Sequence, residues 1–138
     1  MKSYEIFDFS DVGYHKLFHH QSWRIAILNY IDELTLENLE YVEAHHQTDE
    51  AFTLLSGCCT LVLAQVESHQ IQSFECLKMS PHKVYKVPQG VYHTCILSKD
   101  AKVLIVEEDD TSDHNSSKLY LEPKHIRMIK AHILEDQS

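Results

Sequence analysis

The segment that follows residue 44 places imidazoles close to a carboxylate. His45 and His46 precede Glu50, and the apolar residues Phe52 and Leu54 follow it at alternating positions. On a strand, alternate side chains share a face, so Glu50 would point into the same core as Phe52 and Leu54. A buried carboxylate is costly unless a cation or hydrogen-bond donors accompany it. The spacing therefore predicts an inward-facing Glu50 with one histidine of the pair beside it, and leaves open whether that is His45 or His46.

A further imidazole occurs about 40 residues along the chain. Pro88 ends one apolar run, Gly90 provides a turn, and His93 begins the next run together with Cys95 and Leu97. Alternation places His93 on the face of those two apolar residues. A second imidazole is therefore also expected to point inward.

Two imidazoles and a carboxylate form a set of three ligands that leaves coordination positions open. Such a set suits a divalent ion of Fe, Mn, Ni or Zn. The candidate metal ligands are His45, His46, Glu50 and His93, and Glu50 is also the candidate catalytic residue. Two alternatives remain at this point: Glu50 and His93 pair with each other, or they bind an organic ligand directly.

The elements that would position these residues are short apolar runs separated by turn residues. Runs that alternate, or are rich in β-branched and aromatic residues, predict strands. Their regular spacing is typical of an all-β sandwich or barrel. The predicted strands cover residues 23–30, 39–46, 52–55, 59–66, 71–79, 83–87, 93–97 and 103–107.

The end of the chain predicts a helix over residues 122–135. Pro123 suits a first helical turn, and Ile126, Ile129, Ile133 and Leu134 recur at helical spacing. Between the last strand and this helix, residues 109–118 are polar and are predicted to be a loop. The N-terminal histidines His15, His19 and His20 are assigned to an exposed connector.

Composition limits the classes of function. The 138 residues fit a single domain over residues 1–138, with a barrel core over about 23–108. A net charge of −9 opposes binding to nucleic acid or to an anionic membrane. Without a signal peptide or a long apolar run, the chain is expected to be cytoplasmic. The four cysteines lack CxxC spacing and are interpreted as small buried apolar residues.

The two histidine-containing segments resemble the paired motifs of the cupin superfamily. The first motif is written G(x)5HxH(x)3-4E(x)6G, and Glu50 and Gly57 have its spacing. The second is G(x)5PxGxxH(x)3N, which Pro88, Gly90 and His93 match.

The sequence also departs from these motifs. One histidine of the HxH pair is replaced by Ala44 or by Glu43, depending on register, and Glu43 could act as a substitute acidic ligand. His82 and Leu97 stand where the second motif has its first glycine and its final asparagine. The resemblance therefore implies a site with three ligands, whose fourth is absent or unusual.

The resemblance implies a small jelly-roll barrel with a C-terminal helix, a divalent metal ion and a small-molecule ligand such as a carbohydrate or a carboxylate. It also implies a homodimer. It does not select a reaction, because the same scaffold serves enzymes and binding proteins. A metal-dependent isomerase is the first hypothesis; a non-catalytic binding protein and a metal-dependent dioxygenase are the alternatives.

Overall fold

A computed structural model describes residues 3 to 136 and contains two five-stranded antiparallel sheets followed by a helix. Short 3-10 helices span Asp32–Leu34 and Asp113–Asn115. The helix α1 spans Pro123–Asp136. The strands are β1 (Tyr14–His20), β2 (Trp23–Asn29), β3 (Tyr41–His45), β4 (Glu50–Ser56), β5 (Cys59–Glu67), β6 (Gln70–Lys78), β7 (Val84–Val87), β8 (Tyr92–Leu97), β9 (Lys102–Glu108) and β10 (Ser116–Tyr120).

The chain crosses repeatedly between the two sheets. The first sheet has the order β1-β2-β9-β4-β7, and the second has the order β10-β3-β8-β5-β6. Strands that are distant in sequence, such as β2 and β9, thus become neighbours in one sheet. This arrangement confirms the predicted all-β jelly roll with a C-terminal helix.

The main core lies between the inner faces of the two sheets. Strands β8 and β9 alternate between buried and half-buried residues along their length, as expected when one face is covered. Phe52 and Leu54 of β4 are buried together with Cys95 and Leu97 of β8. The alternation used to orient Glu50 and His93 is therefore present in the structure.

A second core lies between the outer face of the second sheet and α1. Ile129 of the helix is fully buried in a cluster with Val42 of β3, Val62 of β5 and Phe74 of β6. The apolar stripe predicted for the helix packs on the outside of the barrel, so the second sheet is covered on both faces in this region.

Gly57 is required by the turn between β4 and β5. Its φ is +70°, and a Cβ at this position would lie 2.6 Å from the backbone of Ala101. A side chain is therefore excluded both by conformation and by space. This residue is the glycine of the first motif, so that spacing reflects a structural need.

All eight predicted strands are present, but two strands were missed. Residues 14–20 form β1 and not a connector, although His15, His19 and His20 are exposed as expected. Residues 116–118 belong to β10, which pairs with β3, so the predicted loop is wrong for that part. Both are edge strands with few buried residues, and an edge strand lacks the alternation that reveals a half-buried one.

Candidate functional site

Three strands bring the candidate site together. Glu50 begins β4 in the first sheet, whereas His45 ends β3 and His93 lies on β8 in the second sheet. Glu50 and His93 are 6% and 8% exposed. The site therefore lies between the two sheets, on the interior side of the barrel.

Two imidazole nitrogens converge on one carboxylate oxygen. Nε2 of His93 is 2.8 Å from Oε1 of Glu50, and Nε2 of His45 is 3.4 Å from the same oxygen. One ligand atom from each residue lies within 4.8 Å of the others. Ligands about 2.1 Å from one metal ion and at near right angles are about 3 Å apart, so these separations fit a common ion.

The contact of Nδ1 with Val91 determines which ring nitrogen of His93 carries the proton. Nδ1 of His93 is 3.0 Å from the carbonyl oxygen of Val91, which can only accept a hydrogen bond. In the neutral ring, Nδ1 therefore carries the proton and Nε2 presents a lone pair to the Glu50 carboxylate. Two acceptors at this distance need a cation between them, either a proton or a metal ion. A ligating histidine is commonly held in this way, with its other nitrogen donating to a backbone carbonyl.

His45 is held from outside the site by β10. Its Nδ1 is 2.8 Å from Oγ of Ser116, and its Nε2 faces Glu50. Glu43, two residues earlier on β3, has an oxygen 3.9 Å from the same Nε2 and is partly exposed. Glu43 thus lies at the edge of the cluster.

The charges in the cluster lower the pKa of Glu50 and raise the pKa of His45. Burial alone would raise the pKa of Glu50, but hydrogen bonds with His45 and His93 outweigh burial and hold it well below its usual range. Burial alone would lower the pKa of His45, but the hydrogen bond with Glu50 and its negative charge raise it overall. Glu50 is therefore an anion that stabilises positive charge beside it.

Of the two adjacent histidines, only His45 lies in the cluster. His46 follows the end of β3, is exposed, and has Nε2 2.6 Å from Oγ of Ser117. The structure thus brings His45, Glu50 and His93 together and leaves His46 outside, so His46 as an alternative ligand is not supported.

A second acidic residue, Glu107 on β9, was not among the site residues predicted from the sequence. Glu107 is buried, and its Oε1 accepts hydrogen bonds from Tyr14 at 2.8 Å and from Nη2 of Arg24 at 2.7 Å. Its other oxygen, Oε2, is buried and has no hydrogen-bond partner among residues 3 to 136. A signal for Glu107 was available, because alternation along β9 places it on the face of the buried residues Val103 and Ile105.

Glu107 and Glu50 are electrostatically coupled. Burial, and after it the neighbouring carboxylate of Glu50, raise the pKa of Glu107 to about 7, although Arg24 and Tyr14 act in the opposite direction. A shared proton between the two carboxyl groups would satisfy Oε2 of Glu107. Two carboxyl groups with opposite shifts form a pair in which Glu50 stays ionised while Glu107 exchanges a proton near neutrality.

The cluster opens into a cavity of about 320 Å³. This volume lies near the lower end of the range for small-molecule sites, about 300 to 1,000 Å³. Residues Thr111 to Asp113, which belong to the segment predicted to be a loop, line the cavity on one side. A second cavity of about 330 Å³ adjoins it, is lined mainly by apolar residues, and shares Tyr14, Leu28, Leu34, Tyr41 and Thr94 with the first.

The cysteines do not add a nucleophile to the site. Cys95 lines the cavity, but a hydrogen bond with Cys59, together with burial, raises the pKa of its thiol. A raised pKa disfavours the reactive thiolate. Cys59 and Cys95 are buried as predicted, whereas Cys58 is exposed, because it follows the Gly57 turn on the surface.

Known structures share this fold. A cupin-2 domain protein from Shewanella frigidimarina is 17% identical, with a TM-score of 0.53 over 72% of this chain and 84% of that one. KdgF from Halomonas sp. is 14% identical, with a TM-score of 0.53 over 81% and 99% of the two chains. Pac13, described as a nucleoside dehydratase, is 8% identical, with a TM-score of 0.58 over 86% and 93%. A Streptomyces Pac13 variant with uridine gives the same TM-score at 9% identity, over 88% and 93%.

At these identities the comparisons establish the cupin fold and nothing about activity. No protein-family model matches the sequence, and no curated protein is significantly similar to it. Among the described residues, no helix has the length and apolar character to cross a membrane.

Proposed function

We propose that this chain binds a divalent metal ion through His45, Glu50 and His93 and a small polar metabolite in the adjoining cavity, and that it catalyses a proton transfer such as an isomerisation. The observation that carries the proposal is the convergence of two Nε2 atoms on one oxygen of a buried carboxylate. His93 directs Nε2 at Glu50 and its Nδ1 at the carbonyl of Val91, which is how a ligating histidine is commonly held.

The donor set narrows the choice of ion. Two imidazoles and one carboxylate suit Fe(II), Mn(II), Ni(II) or Zn(II) better than Mg(II) or Ca(II), which prefer ligand sets made of oxygen. Such an ion, when bound, supplies a Lewis acid that polarises a carbonyl or hydroxyl oxygen of the ligand. The chain supplies three ligands, so positions remain for a small molecule.

Glu107 is the residue placed to move a proton. Its Oε1 is held by Arg24 and Tyr14, which fixes the orientation of the carboxyl group. Its Oε2 is buried and has no donor among the described residues, and Glu107 is one of the residues that line the cavity. In an isomerisation, its carboxyl group would accept a proton from one carbon or hydroxyl group and return it to a neighbouring one.

The structural neighbours are compatible with a small polar ligand. Pac13 is described as a nucleoside dehydratase and has been determined with uridine, a neutral hydroxyl-bearing molecule. Since these proteins share only the fold with this chain, the support for a ligand of this kind comes mainly from the cavity.

A homodimer belongs to the same proposal. Trp23 and Tyr14, on the two strands at one end of the first sheet, are partly exposed, and β1 has an unpaired edge. Pairing of such edges between two copies would remove an aggregation-prone surface. Light scattering at several concentrations would give the mass of the particle.

The experiment that tests the function is a turnover screen on protein purified without chelators or affinity tags. Small sugars and hydroxy-carbonyl compounds are incubated with protein that has been loaded with Mn(II), Fe(II), Ni(II) or Zn(II), or stripped with a chelator. The proposal expects conversion of a substrate to an isomer that depends on metal. Oxygen consumption would favour dioxygenation instead, and stabilisation by a metabolite without turnover would favour a binding protein.

A further inference from the structure

The lining of the cavity is rich in carboxyl groups and poor in cations. Four acidic residues line it, and Arg24 is the single arginine or lysine among the described lining residues. The acidic residues are Glu43, Glu50, Glu107 and Asp113. An anionic ligand would therefore enter a negative field unless a cation inside the cavity were free to receive it.

Arg24 is not free to receive an anion. Its Nε and Nη2 donate to Oε1 of Glu107, at 3.2 and 2.7 Å. Its Nη1 donates to the carbonyl of Asp109 at 2.8 Å, and Nη2 also donates to the carbonyl of Thr111 at 3.2 Å. Each nitrogen of the guanidinium thus already has an acceptor within the protein. Arg24 therefore positions Glu107. It has no pair of N–H groups left that could bind a phosphate or carboxylate in a bidentate manner.

Lys118, a cation beside the cavity, is also committed. Nζ of Lys118 lies 4.4 Å from the centre of the Tyr41 ring and 3.6 Å from an oxygen of Asp113. It packs beside the cavity and is not one of its lining residues. His45 and His93 direct their Nε2 atoms at Glu50 and do not point a free donor at a ligand.

A bound divalent ion would not reverse this balance. Arg24 offsets Glu107 and Lys118 offsets Asp113, so a divalent ion would be left to offset Glu43 and Glu50. The lining then carries no net charge, so no positive excess remains for an anion. The same balance means that a cationic ligand gains little.

The lining carboxylates accept hydrogen bonds that the hydroxyl groups of a ligand could donate. The side chains of Glu43 and Asp113 are 25% and 87% exposed, so their oxygens are accessible. A phosphate or carboxylate oxygen has no proton to donate and could only oppose them.

From these charges and hydrogen bonds we infer that the cavity selects an uncharged, hydroxyl-rich ligand and rejects its phosphorylated and carboxylated analogues. The inference rests on the proposed function, because it concerns the ligand of the same site. The sequence left open whether the ligand is a carbohydrate or a carboxylate. The inference favours a carbohydrate-like compound.

The test compares ligands that differ only at the end remote from the metal-binding hydroxyls. Free hexoses, the matching hexose 6-phosphates and the matching hexuronic acids are titrated calorimetrically into Zn(II)-loaded protein, together with pentoses and pentose 5-phosphates. We expect a neutral sugar to bind, and its phosphate to bind about tenfold more weakly or worse, as like charges at short range predict. An anionic member that binds more tightly than its neutral counterpart would overturn the inference, and so would a series in which no neutral sugar binds.

A pair of variants links the discrimination to the cavity. Glu43→Gln removes a charge from the lining, and Glu75→Gln removes the same charge from an exposed position on β6. The ratio of affinities for the neutral and phosphorylated sugar should fall about threefold in the first variant and stay constant in the second. An equal fall in both would assign the effect to overall charge and overturn the inference.

The outcome is distinguishable from a failure of the proposed function. Metal binding is measured separately by titrating Zn(II) into chelator-treated protein without sugar. Absence of metal binding would remove the proposed metal site, yet the same sugar series, run on the metal-free protein, would still compare neutral with anionic ligands.

Discussion

Arg24 and Glu107 form a buried ion pair in which Nη2 of the guanidinium lies 2.7 Å from Oε1 of the carboxyl group. The pair joins β2 to β9, and Tyr14 of β1 donates to the same oxygen. Three neighbouring strands thus fix one oxygen of Glu107, while the other is buried and has no donor among the described residues. The finding gives the site a second acidic group, which the paired motifs alone do not contain.

Removing the guanidinium should destabilise the protein. Arg24→Ala would leave Glu107 buried without its cation, and breaking a largely buried pair in this way costs about 2 to 3 kcal/mol. Urea denaturation followed by circular dichroism measures the change. Lys102→Ala, which removes an ion pair with the exposed Asp8, should have a much smaller effect. Equal losses of stability in the two variants would show that the Arg24–Glu107 pair contributes no more than the exposed Lys102–Asp8 pair.

Glu107→Gln should impair turnover and spare metal binding. The amide cannot accept and return a proton, so we expect kcat to fall by about a hundredfold or more, the usual contribution of a positioned acid or base. The assay is the substrate conversion found in the metal-dependent screen, and zinc stoichiometry is measured in parallel. Glu108→Gln alters the next residue, which alternation places on the opposite face of β9, and should retain activity. Full activity of Glu107→Gln would exclude Glu107 as the proton-transfer group.

The turn at Gly57 should tolerate no side chain. In Gly57→Ala, the new Cβ would lie 2.6 Å from the backbone of Ala101 at a φ of +70°. We expect a loss of about 2 kcal/mol or more in the free energy of unfolding. Gly90→Ala is the matched control, because its φ is +82° but no atom lies within 4 Å of the added Cβ. This control should lose only about 1 kcal/mol of stability, because of its backbone conformation. An equal loss in the two variants would contradict the close approach of residue 57 to the backbone of Ala101.

The helix should depend on Ile129 for its docking to the second sheet. Ile129 is fully buried against that sheet, whereas Leu134 of the same helix is 56% exposed. Ile129→Ala should reduce the free energy of unfolding by about 2 to 4 kcal/mol, and Leu134→Ala should change it by less than about 1 kcal/mol. Thermal unfolding of both variants distinguishes them. A similar melting temperature for the two would mean that α1 does not pack as described.

The inward direction of Glu50 and His93 could be predicted because each lies on a half-buried strand with apolar residues at alternating positions. The choice between His45 and His46 could not be made in this way. Strand β3 is buried on the face of Val42, against the helix, and half-buried on the face of His45, towards the barrel interior, so alternation alone does not tell which face lines the cavity.

The partners of Glu107 could not be predicted for a different reason. Arg24 and Tyr14 reach it through the pairing of β2 with β9 and of β1 with β2. The pairing of β2 with β9 joins residues far apart in the chain, and a single sequence carries no signal for it. Strand β1 itself was missed because its edge position leaves most of its side chains exposed, so no apolar pattern identifies it.

Zinc titration of the adjacent variants His45→Ala and His46→Ala tests the central claim most directly. The two changes remove the same side chain from neighbouring positions, one facing Glu50 and one exposed. We predict that chelator-treated wild-type protein binds Zn(II) at one tight site, that His46→Ala retains this affinity, and that His45→Ala loses about a hundredfold or more. Equal affinity in the two variants, a loss confined to His46→Ala, or no tight site in the wild-type protein would contradict a metal centre formed by His45, Glu50 and His93.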